Sequence, residues 1–454
     1  MTSMATTAEG VPLRLLGHWR ALARLAWPVA LSRVGLVVMA MVNVVMVGRT
    51  GTDELAALSL GYAVVMPALI AGVGCMTGIV AISARHEGAG RRSPEVLLLG
   101  LRWAVLVGLV VTALLFATGP LLALIGHTPA LVDHGGSVAR MLAPGAFGQI
   151  VFVAVTFYLE GTGRPGPGLV AMAGANLVNF AGGWLLIDGR LGLPGLGADG
   201  AAIGATIARL AMAAGLLAWT LRLPEFAPLR RRPLTPWGPG GWAAGAQMRR
   251  IGMAGGNAYF FETVAFATLA QAAGLLGPTP LAAYTILHNI EALVFMIALG
   301  LSVATAVRVG QAAGAGDPDE ARLAGFAGLA MAMGLVALVG LCLLAAAPTV
   351  VGFYSADPAL VARAAPILAI LAVSMLFDSG QVVLGQTNRA LGDSWVTTGC
   401  FFLAFFGVMV PLGLALAFRT PLAEAGLFIA TAAGCASAAA LLLGRFLHLV
   451  GRVS

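Results

Sequence analysis

The chain has 454 residues, of which 59% are hydrophobic and only 10% charged, where a soluble domain carries about 45–50% and about 25%. No soluble core absorbs that excess, and a mean hydropathy of +0.93 over the whole length makes lipid the solvent for most of the chain, which excludes a soluble enzyme on a single anchor. The basic excess, 26 residues against 19 acidic for a net charge of +7, is entirely arginine. It sits at span ends and in short loops such as Arg91-Arg92 and Arg230-Arg231-Arg232, the pattern of membrane orientation and not of nucleic-acid binding.

In chain order, residues 1–24 carry Arg14, Arg20 and Arg24 among Leu13, Leu16 and Leu22 and read as a basic amphipathic cytoplasmic lead-in. The apolar run from about Leu25 to Val47 is too long for a signal-peptide core, and no small-residue cleavage pattern closes it, so it reads as the first membrane helix. Further spans are predicted near 55–82, 96–117, 137–159, 167–188 and 197–221, then near 251–273, 281–307, 321–346, 361–387, 395–418 and 423–448. Between the two sets lies the one long polar connection, 223–250, with Pro224, Arg230 to Pro233, Pro236 and Arg249-Arg250. It separates a first lobe, 25–222 with spans 1–6, from a second, 251–454 with spans 7–12. The expected fold class is an all-α membrane protein of 12 transmembrane helices in two six-helix pseudo-symmetric lobes.

The lobes resemble each other in sequence. Gly48-Arg-Thr-Gly51 followed by Leu55-Ala-Ala57 recurs as Gly274-Leu-Leu-Gly277 followed by Leu281-Ala-Ala283, and Gly88-Ala-Gly90 recurs as Gly314-Ala-Gly316, both displaced by 226 residues. Pro129-Ala-Leu-Val132 recurs as Pro358-Ala-Leu-Val361, and Gly163 as Gly392, displaced by 229. Six spans per lobe is an even number, so the lobes are parallel repeats. With the N-terminus in the cytoplasm, most arginines fall on that side; Arg49, Arg140, Arg190, Arg363 and Arg419 fall on the other, and Arg33 and Arg209 lie inside spans. Both termini are therefore expected in the cytoplasm. Cys75, Cys342, Cys400 and Cys435 each stand alone in apolar runs and are expected to be buried packing residues.

The informative acids are those that cannot reach water at a span end: Glu262 in span 7, Glu291 in span 8 and Asp378 in span 10. A charge at a helix centre costs about 2.5–3.5 kcal/mol on insertion scales, so each needs a cavity, a partner or a proton. Counted from Ile251 and Thr387, Glu262 lies about 16 Å deep and Asp378 about 14 Å, the middle of a core about 30 Å thick. Two carboxylates close together in a low-dielectric pocket resist ionising together, so the pair suits a shared cation or proton. Glu291 has His288 on its face at i−3 and could pair with it. The first lobe has no clear mid-span acid. It offers Arg33, Asn43, Asn176 and Asn179, and Arg33 is expected to snorkel or bind backbone carbonyls. Pro28 and Pro67 are expected to bend early spans. No His-Glu-x-x-His, no phosphate-cradling loop with lysine and no Gly-x-Ser-x-Gly occurs, so an enzyme is not expected.

The runs Asn43-Val-Val-Met-Val-Gly48-Arg-Thr-Gly51, Val307-Arg308-Val-Gly310-Gln311-Ala-Ala-Gly314-Ala-Gly316-Asp317 and Arg389-Ala-Leu-Gly392-Asp393 resemble the multidrug and toxic compound extrusion (MATE) family. The resemblance covers nearly the whole chain. Tyr259-Phe260-Phe261-Glu262, and Phe377-Asp378 with Gln381, are similar to its NorM-type branch, where the matching Glu and Asp bind the coupling cation, sodium or a proton. It implies a V-shaped cleft between the lobes and export of small cationic, amphipathic compounds across a bacterial-type cytoplasmic membrane by alternating access, with no cofactor beyond the coupling ion and with a monomer embedded in lipid. Tyr259, Asn257, His288, Glu291, Gln381, Ser374, Asn43, Asn179 and Arg33 are the expected cleft residues, and Glu262 and Asp378 the metal ligands if the ion is sodium. The chain departs from the family at Asn43, commonly Asp, at Ser374, often Tyr, at Gly183, often Asn, and at Glu291, usually neutral. The alternative is a flippase of lipid-linked oligosaccharides from the same fold superfamily, to which Arg33 and Arg209 lend support.

Overall fold

The computed structural model describes residues 10–125, 128–192, 194–227, 242–355 and 357–451, with side chains from Gly17 onward. Arg230 to Pro233 and Pro236 of the central connection lie outside the described residues, as do the side chains of Leu13, Arg14 and Leu16 in the lead-in. Among the described residues the fold is helical without a strand. The first half runs α1 (Gly10–Gly48), α2 (Thr52–Gly74), a turn at Cys75-Met76, α3 (Thr77–Gly88), α4 (Pro94–Phe116), a short α5 (Thr118–Ile125), α6 (Pro129–Gly161), α7 (Gly166–Leu186) and α8 (Gly197–Leu221). The second runs α9 (Ala246–Leu275), α10 (Pro278–Ala315), α11 (Pro318–Ala345), a short α12 (Ala347–Gly352), α13 (Pro358–Ala390), α14 (Ser394–Phe402), a π-helical stretch Leu403–Met409, α15 (Val410–Arg419) and α16 (Ala423–Gly451).

Among the described residues, eleven helical stretches are long and apolar enough to cross a membrane. The remaining predicted span, α9, is 30 residues long, about 45 Å at 1.5 Å per residue. It is more polar than the others because Arg249, Arg250, Asn257, Glu262 and Gln271 lie along it. Several helices outrun their predicted spans. The lead-in from Gly10 is continuous with α1, and α10 continues past its apolar run to Ala315, where Arg308 pairs with Glu320 at 3.1 Å. Helix ends follow local chemistry. Asp317 caps α11 by accepting from the Glu320 amide at 2.9 Å, with Pro318 at the first helical position, where its missing N–H costs nothing.

The chain forms two compact units, one comprising residues up to Ala30, 84–90 and 261 onward, the other 31–83 and 91–260. The boundaries cut α1 just past Pro28 and α9 just before Glu262, so each unit takes the far end of one lobe's opening helix. In the second of these units α6 is buried almost throughout from Val138, and small residues let its neighbours approach: a Cβ on Gly145 would lie 2.7 Å from the Thr206 hydroxyl, and one on Gly182 3.0 Å from Gly204. In the other, α13 is buried from Asp378 to Ala390, Gly325 packs on Phe446, and Gly88 lies against the backbone of Gln311. Outward faces carry Leu109, Val110, Val170, Leu177 and Leu341, each more than half exposed, a surface that only lipid satisfies.

The repeat is visible in the backbone. α6 and α13 each have 33 residues and start 229 positions apart. Gly90 and Gly316, at φ 69° and 75°, and Gly163 and Gly392, at φ 75° and 88°, close matching turns in the left-handed region. Ala423, at φ 47°, takes the place of Gly197, at φ 51°. The π stretch marks a slip in register within a helix: Gly200 packs on Leu186 whereas Gly426 packs on Leu416, so the spacing along this helix is 230, one residue more than the 229 before it.

A Cβ at position 88 would fall 1.9 Å from the Gln311 carbonyl oxygen, whereas one at Gly174 meets nothing within 4 Å. Overpacking costs about 1–3 kcal/mol, so Gly88→Ala is expected to lower the thermal midpoint of the purified protein by several degrees, and Gly174→Ala to leave it unchanged or raised. Equal midpoints for the two variants would contradict the close approach.

Candidate functional site

In the unit containing Glu262, α9 and α13 bring the predicted acid pair together through one amide. Asp378 and Gln381 are three residues apart on α13 and share a helix face. The Gln381 side-chain nitrogen donates to Asp378 Oδ1 at 2.8 Å and reaches Glu262 Oε1 at 3.4 Å. An amide nitrogen has two hydrogens, so it serves both carboxylates at once. Gln381 and Asp378 are buried and Glu262 is half-buried. Cys435, from α16, lies 3.8 Å from Asp378 Oδ1. Ser374, one turn before Asp378, is fully buried, and its hydroxyl has no hydrogen-bond partner among the described residues.

Glu291 joins this cluster from α10. It is buried, faces His288 Nδ1 through Oε2 at 3.4 Å as its i−3 spacing suggested, and lies within electrostatic reach of both Glu262 and Asp378. His288 stacks on Tyr284, with ring centroids 5.8 Å apart, and Tyr284 on Phe428 at 5.1 Å. Arg389, buried on α13 with its guanidinium 5.3 Å from the centre of the Phe401 ring, is within electrostatic reach of Glu262. Among the described residues no three His, Cys, Asp or Glu side chains form a metal-holding group; what the cluster offers is two carboxylates on a shared donor with a third acid nearby. Such an arrangement suits a single cation or a proton and places the charge where hydrocarbon would otherwise exclude it.

The other expected residues are not all drawn in. Asn257 and Tyr259 lie on the part of α9 that belongs to the other unit. Asn43 and Asn179 form a separate polar link in that unit: Asn179 donates to Asn43 Oδ1 at 2.9 Å, and Asn43 donates to the Tyr62 hydroxyl at 3.1 Å. Arg33 neither snorkels nor relies on backbone carbonyls. It is buried, donates to both oxygens of Glu160 at 3.1 and 3.4 Å, and lies 5.2 Å from the centre of the Phe157 ring. Glu160 escaped the sequence reading because it follows the predicted end of span 4. The repeat carried part of the signal, since Glu160 stands 229 positions before Arg389, a charged residue at the matching place of α13 with the sign exchanged. The cysteine expectation needs correction as well: Cys342 is exposed, Cys75 and Cys400 are intermediate, and only Cys435 is buried. On a membrane protein an apolar run faces lipid as readily as core. A groove of about 550 Å³ between α7 and α8 is lined by Val170, Val178, Met212 and Trp219, without a charge, and is no part of the acid cluster.

The fold and the acid pair thus define a multi-pass helical membrane protein with ionisable groups held at the middle of its helices. The MatE family profile matches residues 28–185 and again 257–415, the two halves at the offset of the internal repeat, and the chain belongs to that family, multidrug and toxic compound extrusion, in its NorM-type branch. It is 35% identical to a probable multidrug resistance protein NorM of Caulobacter vibrioides, over 94% of this chain and 90% of that one. It is 29% identical to the multidrug resistance protein PmpM of Pseudomonas aeruginosa, over 95% and 91%. The crystal structure of the eukaryotic MATE transporter AtDTX14 shares the fold, with a TM-score of 0.84 at 19% identity, covering 97% of this chain and all of that one.

Removing one partner of a buried ion pair costs about 3–5 kcal/mol, whereas replacing both by apolar groups is close to neutral. Arg33→Met and Glu160→Leu are each expected to lower the thermal midpoint sharply, and the double variant to recover most of the loss. Additive losses in the double variant would show that the two side chains do not act as a pair.

Proposed function

We propose that the protein exports cationic, amphipathic compounds across a bacterial-type cytoplasmic membrane in exchange for an inward-moving cation, sodium or a proton, and that Glu262 and Asp378 hold that cation. The observation that carries this reading is the Gln381 amide joining the two carboxylates midway along α9 and α13. Ionised, the pair attracts either the coupling ion or the positive group of a drug; neutralised by the ion, it releases the drug. Coupling then needs only that ion and drug compete for one charge while the protein moves between two states that differ in their affinity for each. Gln381 has its donors on the two acids and is the group a bound cation displaces. Glu291 adds a third negative charge to the same field, and its partner His288 presents a half-exposed ring able to stack on an aromatic cation.

The distribution of arginine supports cytoplasmic termini. Lipid is the only partner this reading needs besides substrate and ion, with the protein acting as a monomer and taking no cofactor or nucleic acid. The multidrug-resistance names of relatives 35% and 29% identical favour drug export over the flippase alternative, and so does an acid pair where an oligosaccharide phosphate would meet repulsion.

Asp378→Asn removes the charge and keeps the shape. It is expected to abolish resistance in cells while the protein still reaches the membrane; full resistance in cells expressing that variant would overturn the assignment. In everted vesicles, accumulation of a fluorescent organic cation is expected to respond to an imposed sodium gradient or to a pH gradient. Intact protein that responds to neither would remove the antiport reading, and whichever gradient drives uptake identifies the ion.

A further inference from the structure

The internal repeat lays the acid cluster of one unit over a second set of residues in the other. Across α6 and α13 the offset is 229, so Arg389 corresponds to Glu160 and Asp378 to Gln149. Along the last helix of each half the offset is 226, so Cys435 corresponds to Arg209. Packing secures that register: Gly200 lies against Leu186 as Gly426 lies against Leu416, and Gly204 against Gly183 as Ala430 against Gly413. Cys435 meets Asp378 at 3.8 Å. Arg209 and Gln149 occupy the matching positions, and the α6 and α8 backbones touch there, a Cβ on Gly148 falling 3.2 Å from the Arg209 carbonyl.

The chemistry of this second set is the opposite of the first. Arg209 is 4% exposed, yet its Nε and one terminal nitrogen have no hydrogen-bond partner, and no ion pair among the described residues includes it. Gln149 is 1% exposed with both amide atoms unpartnered. Tyr62 is within electrostatic reach of the guanidinium, held there by Asn43. The acid of this region, Glu160, is already committed to Arg33. A carboxylate at such a depth can take up a proton, but a guanidinium keeps its charge, and a cation at mid-membrane is costly until an anion meets it. A planar guanidinium, an unpartnered amide on the helix packed against it and a phenol within electrostatic reach make a donor set that suits a carboxylate.

We propose that the unit containing Arg209 holds a buried anion site in which Arg209, Gln149 and Tyr62 bind the carboxylate of a small organic molecule. The site stands apart from the cation assignment of Glu262 and Asp378. Its test is equilibrium binding of radiolabelled benzoate to the purified full-length protein, with benzamide, the neutral isostere, as competitor. Saturable binding that benzamide does not displace is expected, weakened at least about tenfold in Arg209→Gln, the loss of a charge-assisted hydrogen bond, and several-fold in Gln149→Leu, which keeps the charge. Benzoate, and not benzamide, should raise the thermal midpoint of the wild-type protein at matched ionic strength, a measurement that decides the matter even where Arg209→Gln does not fold. Absence of saturable binding, equal displacement by benzamide, or undiminished binding in the two folded variants would overturn the proposal.

Discussion

Hydrocarbon supplies no hydrogen bonds, so every polar group carried into it has to be answered from within the protein. The interior of this chain is organised around that demand. Glu160 answers Arg33, and the Gln381 amide answers Asp378 and reaches Glu262. Asn43 and Asn179 answer each other and Tyr62. Helices rich in alanine and glycine make these answers possible, because close backbones bring short polar side chains within reach across helix boundaries. The same closeness makes positions such as Gly88 and Gly145 intolerant of even a methyl group.

The two units meet this demand by different means. The Arg33–Glu160 pair is internally neutral and buried at both ends, so it has nothing left to offer a ligand. The acids of the other unit outnumber the cations near them: Glu262, Asp378 and Glu291 share a field in which Arg389 is the cation. A net charge left over at mid-membrane is a standing cost until a proton or a counter-charge meets it. A fold doubled from one repeat lets each copy carry its own unbalanced charge, acidic around Glu262 and Asp378 in one unit and basic at Arg209 in the other.

Much of this was legible in the residues. Composition established the solvent, and a nearly constant offset the two halves, which the family profile later matched one after the other. The acids were found by depth, since at one residue per 1.5 Å neither Glu262 nor Asp378 reaches water. What stayed hidden was mostly pairing. Arg33 looked anomalous because its partner Glu160 is 127 residues away, and apolar patterning says nothing about which helix faces which. Cysteines in apolar runs looked buried because hydropathy does not distinguish core from lipid. The span carrying Glu262 is the least apolar of the twelve for the same reason that it matters, as its polar residues include those of the site.

The π stretch at Leu403–Met409 has a further consequence for how far the halves remain interchangeable. One extra residue in a helix of 3.6 residues per turn rotates everything beyond it by about 100°. Sequence from α7 grafted into the helix between Ser394 and Arg419 would keep its inner turns in register and turn its outer ones onto the wrong face, setting lipid-facing side chains against α16. The two halves, alike enough to be read off one another through most of their length, have become separate parts at that helix.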